Sequence, residues 1–151
     1  MAAIKPGGYY PPVGFHFKVE FVGIGNDNDI RFQAVSGLTI EYDTESFKEG
    51  GENRFEHKLP VRTKYADVSL KRGMLTDSKV IEWCMKAFEN REFQLATVNI
   101  SLLNEKHEAI KRWEVIEAWP KKWSVSDLNA QENGIVVETL DLAYKYFKVK
   151  T

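Results

Sequence analysis

Apolar and polar residues alternate from Phe15 onward: Phe15, Phe17, Val19 and Phe21 fall on one face of an extended chain, His16, Lys18 and Glu20 on the other. Successive side chains of a strand point to opposite faces, so this run predicts a half-buried strand. Gly23 to Asp29 reads as a turn, Phe32 to Val35 as a second strand, and Ser36-Gly37 as a bulge or kink. Leu38, Ile40 and Tyr42 then alternate with Thr39, Glu41 and Asp43, and Ala66, Val68 and Leu70 with Asp67, Ser69 and Lys71. Further on, Ala96, Val98, Ile100 and Leu102 alternate with Thr97, Asn99 and Ser101; Asn104 to His107 turns the chain into a return strand from Ile110 to Ala118. Ile135 to Val149 reads as a long last strand, with Leu140, Leu142, Tyr144 and Tyr146 on one face. The period changes only once. Val80, Ile81, Cys84, Met85 and Phe88 make a helical stripe after the capping run Thr76-Asp77-Ser78, which predicts a helix over 77–89 packed on a sheet. The sum is a mainly β chain, an antiparallel barrel or sandwich of about seven or eight strands with one flanking helix.

One stretch resists burial. Phe47 to Leu59 opens on Gly50-Gly51, which raises the entropic cost of ordering the backbone. It continues as Arg54-Phe55-Glu56-His57-Lys58-Leu59, whose apolar stripe of Phe55 and Leu59 is too thin for a core while Arg54, Glu56 and Lys58 carry both signs of charge. An extended segment of this kind is expected to find its burial on another chain. Residues 1–12, with Tyr9-Tyr10 ahead of Pro11-Pro12, read as an extended arm whose tyrosines dock elsewhere, leaving 13–151 as a single domain.

Composition narrows the function. Of 151 residues, 21 are basic and 22 acidic, a formal net charge of −1 with the signs interspersed. Nothing in that balance favours specific binding of nucleic acid or an anionic membrane. No apolar run is long enough for a membrane anchor, and the N-terminus lacks the apolar core of a signal peptide, so cytosolic synthesis is expected. The single Cys84 falls on the helix stripe, where a buried thiol is inert. His16, His57 and His107 sit in separate elements without metal-ligand spacing. Asn26 to Asp29 lacks the glycine and distal glutamate of a calcium loop, and Gly23-Ile-Gly25 precedes no helix that could hold a phosphate. Trp119-Pro-Lys-Lys-Trp123 joins aromatics to cations and could form a ligand platform; a core tryptophan covered by lysine stems is the favoured reading. Neither catalysis, nor a cofactor, nor a metal is expected.

Tyr10-Pro-Pro-Val-Gly-Phe-His-Phe-Lys-Val, Ala34-Val-Ser-Gly-Leu, Phe47-Lys-Glu-Gly-Gly, Leu70-Lys-Arg-Gly, Val80-Ile-Glu-Trp and Ala118-Trp-Pro-Lys-Lys-Trp occur in this order. As a set they resemble the inner tube proteins of contractile phage tails and contractile injection systems, related in fold to the haemolysin-coregulated tube protein of type VI secretion. The resemblance runs from about Tyr10 to Phe147, and the long Arg54–Lys64 segment departs from phage versions towards the injection systems. It implies an antiparallel β-barrel with a flanking helix, closed six at a time into rings that stack as a hollow tube. It further implies sheath, baseplate and terminator or cap proteins as partners, and a lumen able to carry effector cargo. Synthesis would be in the bacterial cytoplasm, the product a phage tail-like particle, released or cell-associated. The family's long inter-subunit loop falls at Thr44 to Leu59, and the expected contacts between subunits and rings are Glu45, Lys48, Glu49, Glu52, Arg54, Phe55, Glu56 and Lys58, with Tyr9 and Tyr10. The competing reading is a monomeric β-barrel that binds a ligand at Trp119–Trp123.

Overall fold

In the computed structural model residues 16–25, 31–47, 50–51, 56–131 and 134–151 are described. The expected arm at 1–12 with Tyr9 and Tyr10, Phe15, the turn at Asn26–Asp29, and Lys48, Glu49, Glu52, Arg54 and Phe55 lie outside these residues.

The described chain forms nine strands and one helix: β1 (Phe17–Phe21), β2 (Ala34–Ser36), β3 (Ile40–Phe47), β4 (His57–Tyr65), β5 (Val68–Gly73), α1 (Lys79–Asn90), β6 (Ala96–Leu103), β7 (Ala109–Val125), β8 (Val137–Ala143) and β9 (Tyr146–Lys150). All pairings are antiparallel. The main sheet runs β1-β6-β7-β8-β5-β2 with β9 also on β7, and among the described residues its ends do not meet. Of the two architectures expected, the open, sandwich-like one is found.

The long strand β7 joins two layers. Its first half lies between β6 and β9, and its second half, from Trp119, pairs with β8. Between the two halves the β6 register slips, Ala96 facing Ala118 but Val98 facing Val115, so β7 carries one extra residue. Glu117 in this bulge takes a left-handed φ of 53°. A bulge of this kind bends a strand sharply enough to pass it from one sheet to another. The Trp-rich segment is therefore a continuation of the Ile110–Ala118 strand. The expected last strand also divides, because the chain turns at Tyr144-Lys145 into β9 and places Phe147, rather than Tyr146, in the core.

Val19, Phe21, Val68, Leu70, Val98, Ile100, Val115, Leu140 and Leu142 supply the core from alternating strand positions. Its helical lid differs from the expected stripe. Val80, Trp83, Cys84 and Ala87 are the buried residues of α1, whereas Phe88 is 42% exposed. Trp83 seats edge-on against Phe21 at 5.6 Å and donates its ring N–H to the Gln94 carbonyl at 2.6 Å. The buried face is thus rotated by about one position from the expected stripe, with Trp83 and Ala87 taking inward places that the stripe gives to Ile81, Met85 and Phe88. Ser78 caps the helix, its Oγ accepting from the Ile81 amide at 3.2 Å.

Candidate assembly surface

β3 and β4 form a two-stranded sheet of their own, leaving the main sheet between β2 and β5. Paired residues run from Ile40↔Tyr65 to Phe47↔His57, with one irregularity between Tyr42 and Thr44. Thr44 to Phe47 and His57 to Leu59, expected as loop, are thus a paired ribbon. Its eight to nine residues per strand give a length of roughly 26–30 Å. Every residue of β3 is exposed, and so is β4 apart from its two ends. The strand expected from the alternation at Ile40 and Tyr42 is found, but without a buried face. Ile40, Tyr42, Phe47, Leu59 and Val61 all stand in solvent.

Charge is sorted between the two strands. β3 carries Glu41, Asp43 and Glu45 and no base, while β4 carries Lys58, Arg62 and Lys64 and no acid. Glu41 faces Lys64 directly. Opposite charges across a pair stabilise a ribbon by a few tenths of a kcal/mol, so the sorting helps to hold the register. Towards the tip, the Phe47 and His57 rings stack with centroids 5.1 Å apart. Of the expected contact residues, Glu45, Glu56 and Lys58 are described. Glu45 faces Leu59 and Lys58 faces Ser46, which puts Glu45 and Lys58 on opposite faces of the ribbon.

The base of the ribbon is fixed tightly. Gly37, just after β2, has φ +90°, and a Cβ there would collide with the Asp67 carbonyl. The Ala66 amide donates to the Thr39 carbonyl at 3.3 Å, and the Tyr144 hydroxyl to the Ala66 carbonyl at 2.6 Å. Burial raises the Tyr144 pKa to about 12, with Tyr65 and Asp67 adding to the shift. Tyr65, at the last position of β4, packs edge-on against both Tyr144 and Phe147. Asp67 pairs with Lys121 at 2.7 Å, and this contact raises the Lys121 pKa.

A buried polar cluster lies between the helix cap and the second layer. Glu138 accepts from the Leu75 amide and from the Trp123 ring N–H, each at 3.1 Å. Arg72, opposite Glu138 in register, donates to Ser78 Oγ at 2.6 Å and lies over the Phe32 ring. Arg72 and Glu138 continue the inward stripes Val68-Leu70 and Leu140-Leu142, a placement that period alone assigns to apolar residues. Trp123 is thus engaged by the core, Pro120 is fully buried and Trp119 packs on Phe93, which favours the core reading of this segment over a ligand platform. Cys84 is buried beside the cluster, and burial raises its pKa to about 12. Among the described residues no group of three or more His, Cys, Asp or Glu could hold a metal ion, and no helix is long and apolar enough to cross a membrane.

A family model described as T4-like virus tail tube protein gp19 matches residues 13–148. The chain belongs to this tail tube family. Solved structures agree with the family. A protein of the anti-feeding prophage baseplate, determined by cryo-EM with six-fold symmetrisation, is 30% identical with a TM-score of 0.85, over 94% of this chain and 97% of that one. A protein of the sheath–tube complex of an extracellular contractile injection system, PVC, in its extended state is 25% identical with a TM-score of 0.77, over 93% and 92%. Hcp1 from Flavobacterium johnsoniae shares the fold alone, at 12% identity and a TM-score of 0.53 over 89% and 94%. A comparison with curated protein sequences gave no match. The segments on which the resemblance rested acquire physical reasons here. Ser36-Gly37 makes the close approach at the ribbon base, Arg72 and Trp83 anchor the helix, and Ala118 to Trp123 follows the bulge that joins the layers.

Proposed function

We propose that this chain is a structural subunit of the inner tube of a contractile injection system, closing into homohexameric rings that stack into a hollow tube driven through a target envelope by sheath contraction. The observation that carries this reading is the ribbon. An isolated two-stranded sheet is marginal in water, and this one leaves Ile40, Tyr42, Phe47, Leu59 and Val61 exposed. A tail tube protein with such an element gains its burial from neighbouring copies. The ribbon, with Glu45, Lys48, Glu49, Glu52, Arg54, Phe55, Glu56 and Lys58, then contacts other subunits and rings, and Tyr9 and Tyr10 of the 1–12 arm add to the contact. The edges of β1 and β2, which end the sheet path among the described residues, are the second resource, since edge strands shared around a ring would remove their unpaired backbone groups. Cyclic closure needs two different, matched surfaces per subunit, and two unlike edges meet that need.

The sheath, baseplate and cap proteins are the expected partners, and the particle is a phage tail-like one made without a catalytic step by this subunit. The lumen would be the route for cargo. Light scattering on purified protein tests the oligomer directly. The expected mass is a six-fold multiple of 17.4 kDa or more. A single 17.4 kDa species at high micromolar concentration would leave the ribbon without its partner and overturn the reading.

A further inference from the structure

Two of the histidines, far apart in the sequence, meet at one corner of the first layer. His16 immediately precedes β1, and His107 lies in the turn between β6 and β7. Their rings stand nearly perpendicular with centroids 4.5 Å apart, and His107 Nδ1 lies 2.8 Å from His16 Nε2. At that distance one ring N–H donates to the bare nitrogen of the other. The turn holds its histidine firmly. Asn104 Oδ1 accepts from the Lys106 and Glu108 amides, both at 2.9 Å, and the His107 amide donates to the Asn104 carbonyl at 3.0 Å. His107 itself takes a left-handed φ of 62°. The other side of the contact is held less well. Among the described residues β1 pairs with β6 alone, and just ahead of it the His16 carbonyl accepts from the Leu103 amide at 2.9 Å.

We infer that His16 and His107 form a proton-sensitive clasp on the start of β1, closed while at least one ring is neutral and open when both are charged. The clasp is independent of the tube reading. A neutral pair sets one N–H against one lone pair, and a first added proton leaves that bond intact, because a cationic ring still donates to a neutral one. A second proton removes the lone pair and turns two N–H groups and two positive charges towards each other. The surrounding charges do not relieve this. They are Lys18 and Glu20 on β1, Glu105, Lys106 and Glu108 in the turn, and Lys111 and Arg112 at the start of β7, while β6 has none. Lys18 pairs with Glu20 at 2.8 Å, and Glu108 accepts from the Asn104 side-chain amide at 3.3 Å. Among the described residues neither imidazole has a carboxylate partner. Histidine is the side chain that ordinarily changes charge between about pH 5 and pH 8, so the order of this end strand follows pH in that range. The unfolded chain takes up the second proton freely and the clasped one does not, so the clasp contributes stability near neutral pH that is lost as pH falls.

Amide hydrogen exchange on the whole protein, corrected for the intrinsic effect of pH on exchange, tests the clasp. Between about pH 7.5 and pH 5, protection around His16–Lys18 and at Leu103 should fall by about fivefold, the worth of one lost hydrogen bond, while β8 keeps its protection. His16→Gln with His107→Asn places polar groups that do not titrate at both positions, and asparagine tolerates the left-handed φ of the turn. This double variant should show the same protection at both pH values. His107→Asn alone leaves one imidazole and no pair of cations, so it too should lose the pH dependence, and it decides the matter should the double variant fail to fold. No fall in the parent, or a fall of equal size in the variants, would overturn the clasp.

Discussion

Replacing Trp83 by alanine should cost this fold more than any other single change in the helix. The indole is 4% exposed, packs edge-on against Phe21 and donates to the Gln94 carbonyl at 2.6 Å. Truncating a buried Trp or Phe costs about 3–5 kcal/mol, most of it from lost apolar burial and the cavity left behind. The abandoned carbonyl is partly buried, and water can reach it once the ring is gone, so about 4 kcal/mol is the expected total. Phe88→Ala is the internal control. With 42% of its surface already in solvent, Phe88 has less burial to lose, and about 1 kcal/mol is expected. For a chain of this size these figures correspond to roughly 8–16 °C against 2–4 °C in Tm. Trp83→Phe keeps most of the ring and loses the hydrogen bond, and should fall between the two. Circular dichroism melts read the difference, at one fixed and low protein concentration because assembly stabilises the fold by mass action. Equal losses for Trp83→Ala and Phe88→Ala, or a larger loss for Phe88→Ala, would refute this placement of the helix.

Three further outcomes follow from named contacts. Gly37→Ala places a methyl against the Asp67 carbonyl at a φ of +90° and should cost about 2 kcal/mol or more by urea denaturation, whereas a parent-like midpoint would contradict the close approach. Exchange of Glu41, Asp43 and Glu45 for lysine sets like charges beside Lys58, Arg62 and Lys64; it should shift the subunit's melting little but lower tube yield sharply in sedimentation, and unaffected tube yield would remove the ribbon from assembly. Burial holds Cys84 and Tyr144 neutral by raising their pKa values from 9.0 and 10.0 to about 12 each. The folded state therefore keeps these protons more tightly than the unfolded chain, and their contribution is complete below pH 9 and falls between pH 9 and about 12. Cys84→Ala should flatten this decline, and a thiol reagent should label Cys84 only in denaturant; an unchanged slope together with rapid native labelling would place the thiol at the surface.

Strand and helix content was legible wherever one face is buried. The alternations at Val19-Phe21, Val68-Leu70, Ala96-Val98-Ile100 and Leu140-Leu142 all face the core. Period-2 reasoning failed where an element has no buried face. Ile40 and Tyr42 alternate with acids as a half-buried strand would, yet both lie on a free ribbon, since alternation records which residues could be buried and not whether a partner exists. It failed again at Arg72 and Glu138, because a polar side chain can hold an inward position when its hydrogen bonds are met within the fold. The bend in β7 depends on Glu117 in a left-handed conformation, which side-chain chemistry alone does not announce. The turn at Tyr144-Lys145 likewise lacks glycine, proline and asparagine, so one long strand was read where two pair. That Lys58 and Leu59 stay out of the core was legible from the thin apolar stripe, and their pairing with β3 was not, because the partner residues lie on the other side of the glycine pair. The sorting of acids onto β3 and bases onto β4 stood in the sequence, but its meaning depends on knowing that these strands pair.

Electron microscopy of the purified protein tests the central claim most directly. Two-dimensional class averages of end-on views should show hollow rings with six-fold symmetry, and side views should show the same rings stacked into short tubes at high concentration. Uniform particles of monomer size, or rings of another symmetry, would contradict the assignment of this chain as a homohexameric tube subunit.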